Sequence, residues 1–202
     1  ECGYRDMTDY PLMITLLNKS YIDVKISFYS FIPKSLDENL TNKLCNYYLN
    51  KLKNNTELHD KIEFAICFTC NTLNLKDKLK VLKMNNFSED EINKIHKSLI
   101  TLTNNIVKPS LKIFEKELNR LNKLEDNSEK ILISEKNIIY KIYELIKNIK
   151  KYGTLPFSNL ARYAFIGKAI LLSMLEKKIL SKQQYESFLE SLHTISKDMC
   201  DD

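Results

Sequence analysis

Near the start of the chain, apolar and polar residues alternate with a period of two. Residues 11–17, PLMITLL, are followed by the polar break NKS and then by YIDVKISFYSF, residues 21–31. In the second run Ile22, Val24, Ile26 and Phe28 fall on one side. Tyr21, Asp23, Lys25 and Ser27 fall on the other. The pattern predicts a β-hairpin over 11–31, ended by Pro33. The stretch IEFAICFT, residues 62–69, alternates in the same sense: Ile62, Phe64, Ile66 and Phe68 against Glu63, Cys67 and Thr69. Hairpin and strand together predict a small three-stranded antiparallel sheet with one face packed on helices.

Elsewhere the spacing is helical. Ser35 with Glu38 forms a capping-box pattern ahead of Leu36, Leu40, Leu44, Tyr47, Tyr48 and Leu52. A short helix is expected over 75–84. Ser88 with Glu91 is a second box, with Phe87 and Ile92 as its hydrophobic staple, and Ile92, Ile95, Leu99, Leu102 and Ile106 keep the period. Pro109 should break or kink this helix, and Leu111, Phe114, Leu118 and Leu121 resume it. LEDNSEK, 124–130, reads as a polar break before a helix carrying Ile138, Ile142, Leu145 and Ile149. Two more helices are expected at about 156–178 and 182–198. The last is opened by Ser181 with Gln184 and stapled by Leu180 and Tyr185. The fold class is therefore α+β, mainly α: a sheet-containing part over 1–70 and a helical part over 71–202, in one domain.

Composition narrows the function classes. The 202 residues carry 31 basic and 26 acidic side chains, net +5, interleaved without a block of one sign. A nucleic-acid groove is not indicated, and no apolar run has the length of a membrane span. Arginine occurs only at positions 5, 120 and 162. Each is worth inspecting, because guanidinium binds carboxylate or phosphate through two parallel bonds and lysine does not. Five scattered cysteines, Cys2, Cys45, Cys67, Cys70 and Cys200, read as reduced thiols of a cytoplasmic protein. The first residue is Glu, which suggests a segment of a longer polypeptide.

The rare residues gather in KYGTLPFSNLARYAFIGKAI, 151–170, which holds Gly153, Gly167, Pro156 and Arg162. Pro156 suits a first helical turn. A turn at Gly153 and Thr154 would then leave amide groups free for an anion, with Arg162 two turns further on. Arg162 either binds a ligand carboxylate or pairs with a structural one. Asp23, Lys25, Ser27, Glu63 and Thr69 either line a polar cleft over the sheet or form its solvated outer face. Cys67 and Cys70 have C-x-x-C spacing but no second pair, and on a strand they would face opposite ways, so no metal is expected. His59, His96 and His193 sit beside no nucleophile motif, and no catalytic residue is assigned.

Four blocks carry a family likeness: GYRDMTDYPLM (3–13), YIDVKISFYSFIP (21–33), ELHDKIEFAICFTC (57–70) and YGTLPFSNLARYAFIGKAILLSMLEKKIL (152–180). They resemble the central region of large bacterial enzymes related to phosphoenolpyruvate synthase and pyruvate phosphate dikinase. The likeness extends over nearly the whole chain and is weak over 71–150. In such enzymes an ATP-grasp domain passes phosphate to a histidine on a mobile domain, which delivers it to an acceptor. One class of relatives phosphorylates the amide of L-glutamine for capsular phosphoramidate. The resemblance implies a central, acceptor-binding segment of an ATP-dependent phosphotransferase, covalently joined to the ATP-grasp and phosphohistidine domains. ATP and Mg are expected in those domains and no cofactor in this one, since it has neither a glycine-rich ATP-grasp pattern nor a glycine-flanked histidine. For glutamine, Arg162 or Arg5 suits the α-carboxylate, Asp23 or Glu63 the ammonium, and Thr154 or Ser27 the amide. A pyruvate-type phosphotransferase segment and a non-catalytic helical scaffold remain the alternatives. Neither a nucleic-acid nor a membrane partner is expected.

Overall fold

The computed structural model describes residues 3–7 and 9–192. It is mainly helical with one small antiparallel sheet. Strands β1 (Met13–Leu16) and β2 (Lys19–Ile22) pair with Leu16 opposite Lys19 and Met13 opposite Ile22. The tight turn is Leu17-Asn18, one position earlier than the NKS break suggests, and both residues are left-handed (φ 49° and 58°). That is the geometry of a two-residue hairpin turn; asparagine tolerates it and leucine does not favour it.

The hairpin stops at Ile22, and the predicted continuation to residue 31 is helix α1 (Val24–Tyr29). The Asp23 carboxylate accepts the Lys25 and Ile26 amides and starts the helix. Val24 and Phe28, four apart, share a helix face as readily as a strand face, so the alternation alone was ambiguous.

The predicted third strand is also absent among the described residues. Ile62–Ile66 winds into a single π turn closed by Cys67 N–H on the Ile62 carbonyl at 2.8 Å. Beyond it, Cys67, Phe68 and Thr69 are all buried rather than alternating. Side chains take the bonds a neighbouring strand would have taken. The Phe68 amide donates to the Tyr48 hydroxyl (3.1 Å), and the Tyr4 hydroxyl donates to the Thr69 carbonyl (2.6 Å).

Helix α2 (Glu38–Lys53) is capped by Asp37, which accepts the Leu40 amide, and not by the Ser35–Glu38 box; Glu38 pairs with Arg5 instead. Short helices α3 (Leu75–Lys78) and α4 (Lys80–Lys83) precede α5 (Glu89–Val107), whose Ser88–Glu91 box is fully formed. Phe28, Leu44, Tyr48, Ile66, Leu82, Ile95 and Leu99 form the main core between α1, α2, α4 and α5. A second cluster joins Tyr4, Cys70, Leu102 and Ile106 to Ile166.

Pro109 separates α5 from α6 (Ser110–Ile133), as its spacing requires. LEDNSEK is not a break: it lies inside α6, since it holds neither proline nor glycine. Its polar groups are used, with Asn127 and Ser128 both bonding the buried Asn148. The true break, 134–137, leads to α7 (Ile138–Asn148), capped by Asn137.

From Ile138 the chain is helical without interruption to Glu176: α7, a π segment Ile149–Thr154, and α8 (Leu155–Glu176). The expected turn at Gly153-Thr154 is therefore not formed; Thr154 is right-handed helical. Pro156 lacks an N–H and crowds the preceding turn, and the wider π turn just before it takes up that misfit. Gly153 serves close packing, because a Cβ there would sit 3.3 Å from Leu124 Cδ2 on α6. Helix α9 (Lys182–Ser191) opens with the Ser181–Gln184 box. The rest of the predicted 182–198 helix, with His193, Cys2 and Cys200, lies outside the described residues. No described helix is long and apolar enough to cross a membrane.

Candidate functional site: a pocket of mixed charge against helix α8

The π turn 62–66 and the extended run after it lie between the end of α2, helix α3 and the inner face of α8. They leave a cavity of about 370 Å³ there. Its charged lining is Lys51 from α2, Glu63 from the π turn, Lys78 from α3 and Glu176 from α8. Thr69 and Thr72 add hydroxyls, and Phe64, Ile66, Leu75 and Leu172 add apolar wall. The size falls in the usual range of small-molecule pockets, ~300–1,000 Å³, as does the mixture of apolar wall and a few polar groups.

Each wall is fixed by local structure. Lys51 Nζ donates to the Ala65 carbonyl at 2.6 Å and so ties α2 to the π turn. Lys78 pairs with Glu176 at 3.5 Å, and Asn74 also donates to Glu176, which holds α3 against α8. Phe64 meets Phe165 of α8 edge-on at 5.4 Å, with Lys168 Nζ 5.1 Å over the Phe64 ring. The Leu73 amide donates to the buried Ser173 hydroxyl, a further tie to α8.

Burial sets the electrostatics. It pulls the Lys51 ammonium below the ordinary lysine range, with Cys67 and Lys78 as smaller influences. It pushes Cys67 well above the ordinary thiol range and raises Cys70 too, so neither is a ready thiolate at neutral pH. Both cysteines line the same pocket, contrary to the expectation of opposite faces, because 67–70 is not a paired strand.

No family model, curated protein or solved structure gives a match to the chain.

Of the six residues matched to glutamine, Glu63 alone lines this pocket, and Thr69, grouped with it as a cleft candidate, lines it too. Arg162 of α8 has its guanidinium 4.2 Å from the Phe31 ring centre and 4.8 Å from that of Tyr4. It is not among the residues that line this pocket. Arg5 is bound within the fold: to Glu38 at 3.1 Å, and to the Leu36 carbonyl and Thr41 hydroxyl at 2.8 Å each. Asp23 is spent as the cap of α1. Ser27 sits in α1, its carbonyl accepting the Ser30 hydroxyl. Thr154 is exposed, and its carbonyl accepts the Ser158 hydroxyl.

The pocket residues that pattern reading missed are Lys51, Lys78 and Glu176. Lys51 left a signal, since it stands three positions after buried Tyr48 and seven after buried Leu44, within the apolar stripe of α2. A lysine there must either reach water or meet a partner. Glu176 left none, because its role depends on where the end of α8 lands against α3.

Two further depressions are less site-like. One, about 400 Å³, is lined wholly by polar side chains of α6, from Lys112 to Lys123, and is a dip along one helix. The other, about 220 Å³, is apolar and lies between Leu111, Phe114, Leu160 and Tyr163.

Proposed function

We propose that the chain is the acceptor-binding central segment of an ATP-dependent, dikinase-like phosphotransferase, and that the pocket beneath α8 receives the acceptor. L-glutamine is the favoured acceptor. One observation carries the reading: the blocks of sequence that resemble this enzyme class pack against one another, and two of them line the pocket. Glu63 to Cys70 belong to the block 57–70, and Ala169, Leu172 and Glu176 to the block 152–180. The block at the start of the chain joins them through Tyr4 on Thr69, and the block 21–33 through Phe31 under Arg162.

The chemistry this reading requires is modest. A phosphohistidine on a separate domain presents its phosphorus at the pocket mouth. The P–N bond to the histidine breaks, a P–N bond to the acceptor amide forms, and the amide proton leaves to solvent or to the freed imidazole. This segment binds and orients the acceptor and excludes water; it supplies neither nucleotide site nor phosphorylated histidine.

The test uses the complete polypeptide that carries this chain, incubated with Mg-ATP and L-glutamine and followed by phosphorus NMR. AMP, phosphate and a phosphoramidate signal that depends on glutamine are expected. The 202-residue chain alone should neither consume ATP nor take label from its β-phosphate. Label on His59 or His96 would refute the reading, and product formed with pyruvate instead would move the acceptor to the phosphoenolpyruvate class.

A scaffold role has one observation in its favour. Helix α7 exposes Ile138, Ile139, Ile142, Tyr143 and Ile146 along its outer side. On the phosphotransferase reading this surface meets a neighbouring domain of the same polypeptide.

A further inference from the structure

The pocket holds two half-buried charges of opposite sign that the protein leaves unmatched among the described residues. Lys51 Nζ has three protons to donate, and one acceptor, the Ala65 carbonyl, with no carboxylate at ion-pair distance. The Glu63 carboxylate has neither a cation nor a hydrogen-bond donor; only its backbone carbonyl is engaged, by the Thr69 hydroxyl at 3.4 Å. The other charges of the lining differ, since Lys78 and Glu176 pair with each other. Three other half-buried cations are matched: Lys43 by Glu91, Arg5 by Glu38 and Arg120 by Glu117.

Lys51 and Glu63 do not close on one another. Yet both line the same cavity, Lys51 from α2 and Glu63 from the π turn, so they border a common volume across a gap wider than an ion pair. An ammonium half out of water without a counterion is disfavoured, as the downward pull on Lys51 attests. A ligand that brings a carboxylate to Lys51 and a cation to Glu63 would relieve both at once, through charge-assisted hydrogen bonds.

We infer that Lys51 and Glu63 are the recognition pair of this pocket, Lys51 taking the carboxylate and Glu63 the ammonium of a small zwitterion of the α-amino acid type. Phe64, Ile66 and Leu172 would then flank the ligand's methylenes, and Thr69 and Thr72 offer hydroxyls to a polar side-chain end. Inorganic phosphate fits less well, because the Glu63 carboxylate repels it. The choice of an amino acid that carries an amide rests on the acceptor reading above; the charge pairing itself comes from the pocket.

The experiment is calorimetric titration of the 202-residue chain with L-glutamine and with two truncated probes. One is 4-aminobutanamide, which lacks the carboxylate, and the other is glutaramic acid, which lacks the ammonium. Lys51→Met should weaken L-glutamine binding at least tenfold and leave 4-aminobutanamide unchanged. Glu63→Gln should weaken L-glutamine by a similar factor and leave glutaramic acid unchanged. Should Lys51→Met fail to fold, Lys51→Gln at a matched melting temperature carries the same comparison.

Three results would overturn the inference. These are no binding of L-glutamine, L-glutamate or L-alanine at millimolar concentration, uniform loss for all three probes in both variants, or phosphate binding in place of L-glutamine. The two readings fail separately. Zwitterion binding without phosphoryl transfer by the complete polypeptide removes the phosphotransferase and keeps the pair. Transfer to glutamine that is indifferent to both substitutions does the reverse.

Discussion

Tyr48→Phe is a one-atom test of why residues 67–69 lie where they do. Tyr48 is fully buried in α2, and its hydroxyl accepts the Phe68 amide at 3.1 Å. The substitution keeps the ring and its contacts with Phe28 and Phe68. What changes is one buried N–H, which loses its acceptor in a segment with no neighbouring strand. Leaving such a donor unsatisfied costs about 1–3 kcal/mol, and orphaned N–H groups are rarer than under-used carbonyls. Tyr4→Phe is the control. It removes the donor to the Thr69 carbonyl, an acceptor that tolerates neglect better, so its cost should fall near the net value of one bond, about 1 kcal/mol. Urea unfolding of the three proteins gives both numbers. Amide exchange at Phe68 should quicken in Tyr48→Phe more than elsewhere in the chain. Equal losses in the two variants, or unchanged exchange at Phe68, would refute the claim that tyrosine hydroxyls stand in for a third strand.

Other consequences can be measured with the same protein. Glu117 is almost fully buried on α6, where it accepts from Arg120 at 3.1 Å and from Asn159 of α8 at 3.2 Å. Arg120→Met should cost about 2–3 kcal/mol, below the usual range for a broken buried pair because Arg120 is partly exposed, while Glu117→Leu with Arg120→Met should recover most of it in urea unfolding. Gly167→Ala should raise stability by roughly 0.5–1 kcal/mol, since a Cβ there meets nothing within 4 Å in mid-helix, whereas Gly153→Ala should gain less because Leu124 must yield. Burial pushes the Cys45 thiol up to about 11. A thiol raised in the folded state stabilises fully below its unfolded value near 9 and loses that contribution as pH climbs through 11, about 3 kcal/mol for this group; Cys45→Ala should flatten the alkaline limb of a stability–pH curve by a comparable amount.

Helices announced themselves in the sequence through their ends and stripes. The boxes at Ser88 and Ser181, the break at Pro109 and the apolar spacing of α5 all have local causes, and all are found in the structure. The hairpin was read correctly over 13–22, and the two strand readings beyond it failed for one shared reason. Val24 with Phe28, and Ile62 with Ile66, are four apart, a spacing that serves two-residue alternation and one helical turn alike. What decided between them was chemistry beside the pattern: a capping carboxylate at Asp23, and hydroxyls from Tyr4 and Tyr48 that reach the chain from far away in sequence. Of the pocket, Glu63 and Thr69 were legible as cleft candidates, and Cys67 and Cys70 only as a thiol spacing. Scarcity drew attention to Arg162, but aromatic rings from two distant segments surround its guanidinium, and no count of residue types foretells that.

The π segment before α8 is the one stretch of this long helix where chain length is negotiable. A π turn carries one residue more than the α-helical turn it replaces, and each residue of an α-helix turns the axis by about 100°. Deleting any single residue of 149–154 would let the helix close into regular α geometry. Because the π turn already carries that extra residue, its loss would leave α8 close to its present phase on α7, with Glu176 still against α3, Ser173 on the Leu73 amide and Arg162 on its two rings. A one-residue deletion at 149–154 should therefore spare the pocket wall, whereas the same deletion in the regular α geometry of 157–165 should turn Glu176 by about 100° and take it off α3.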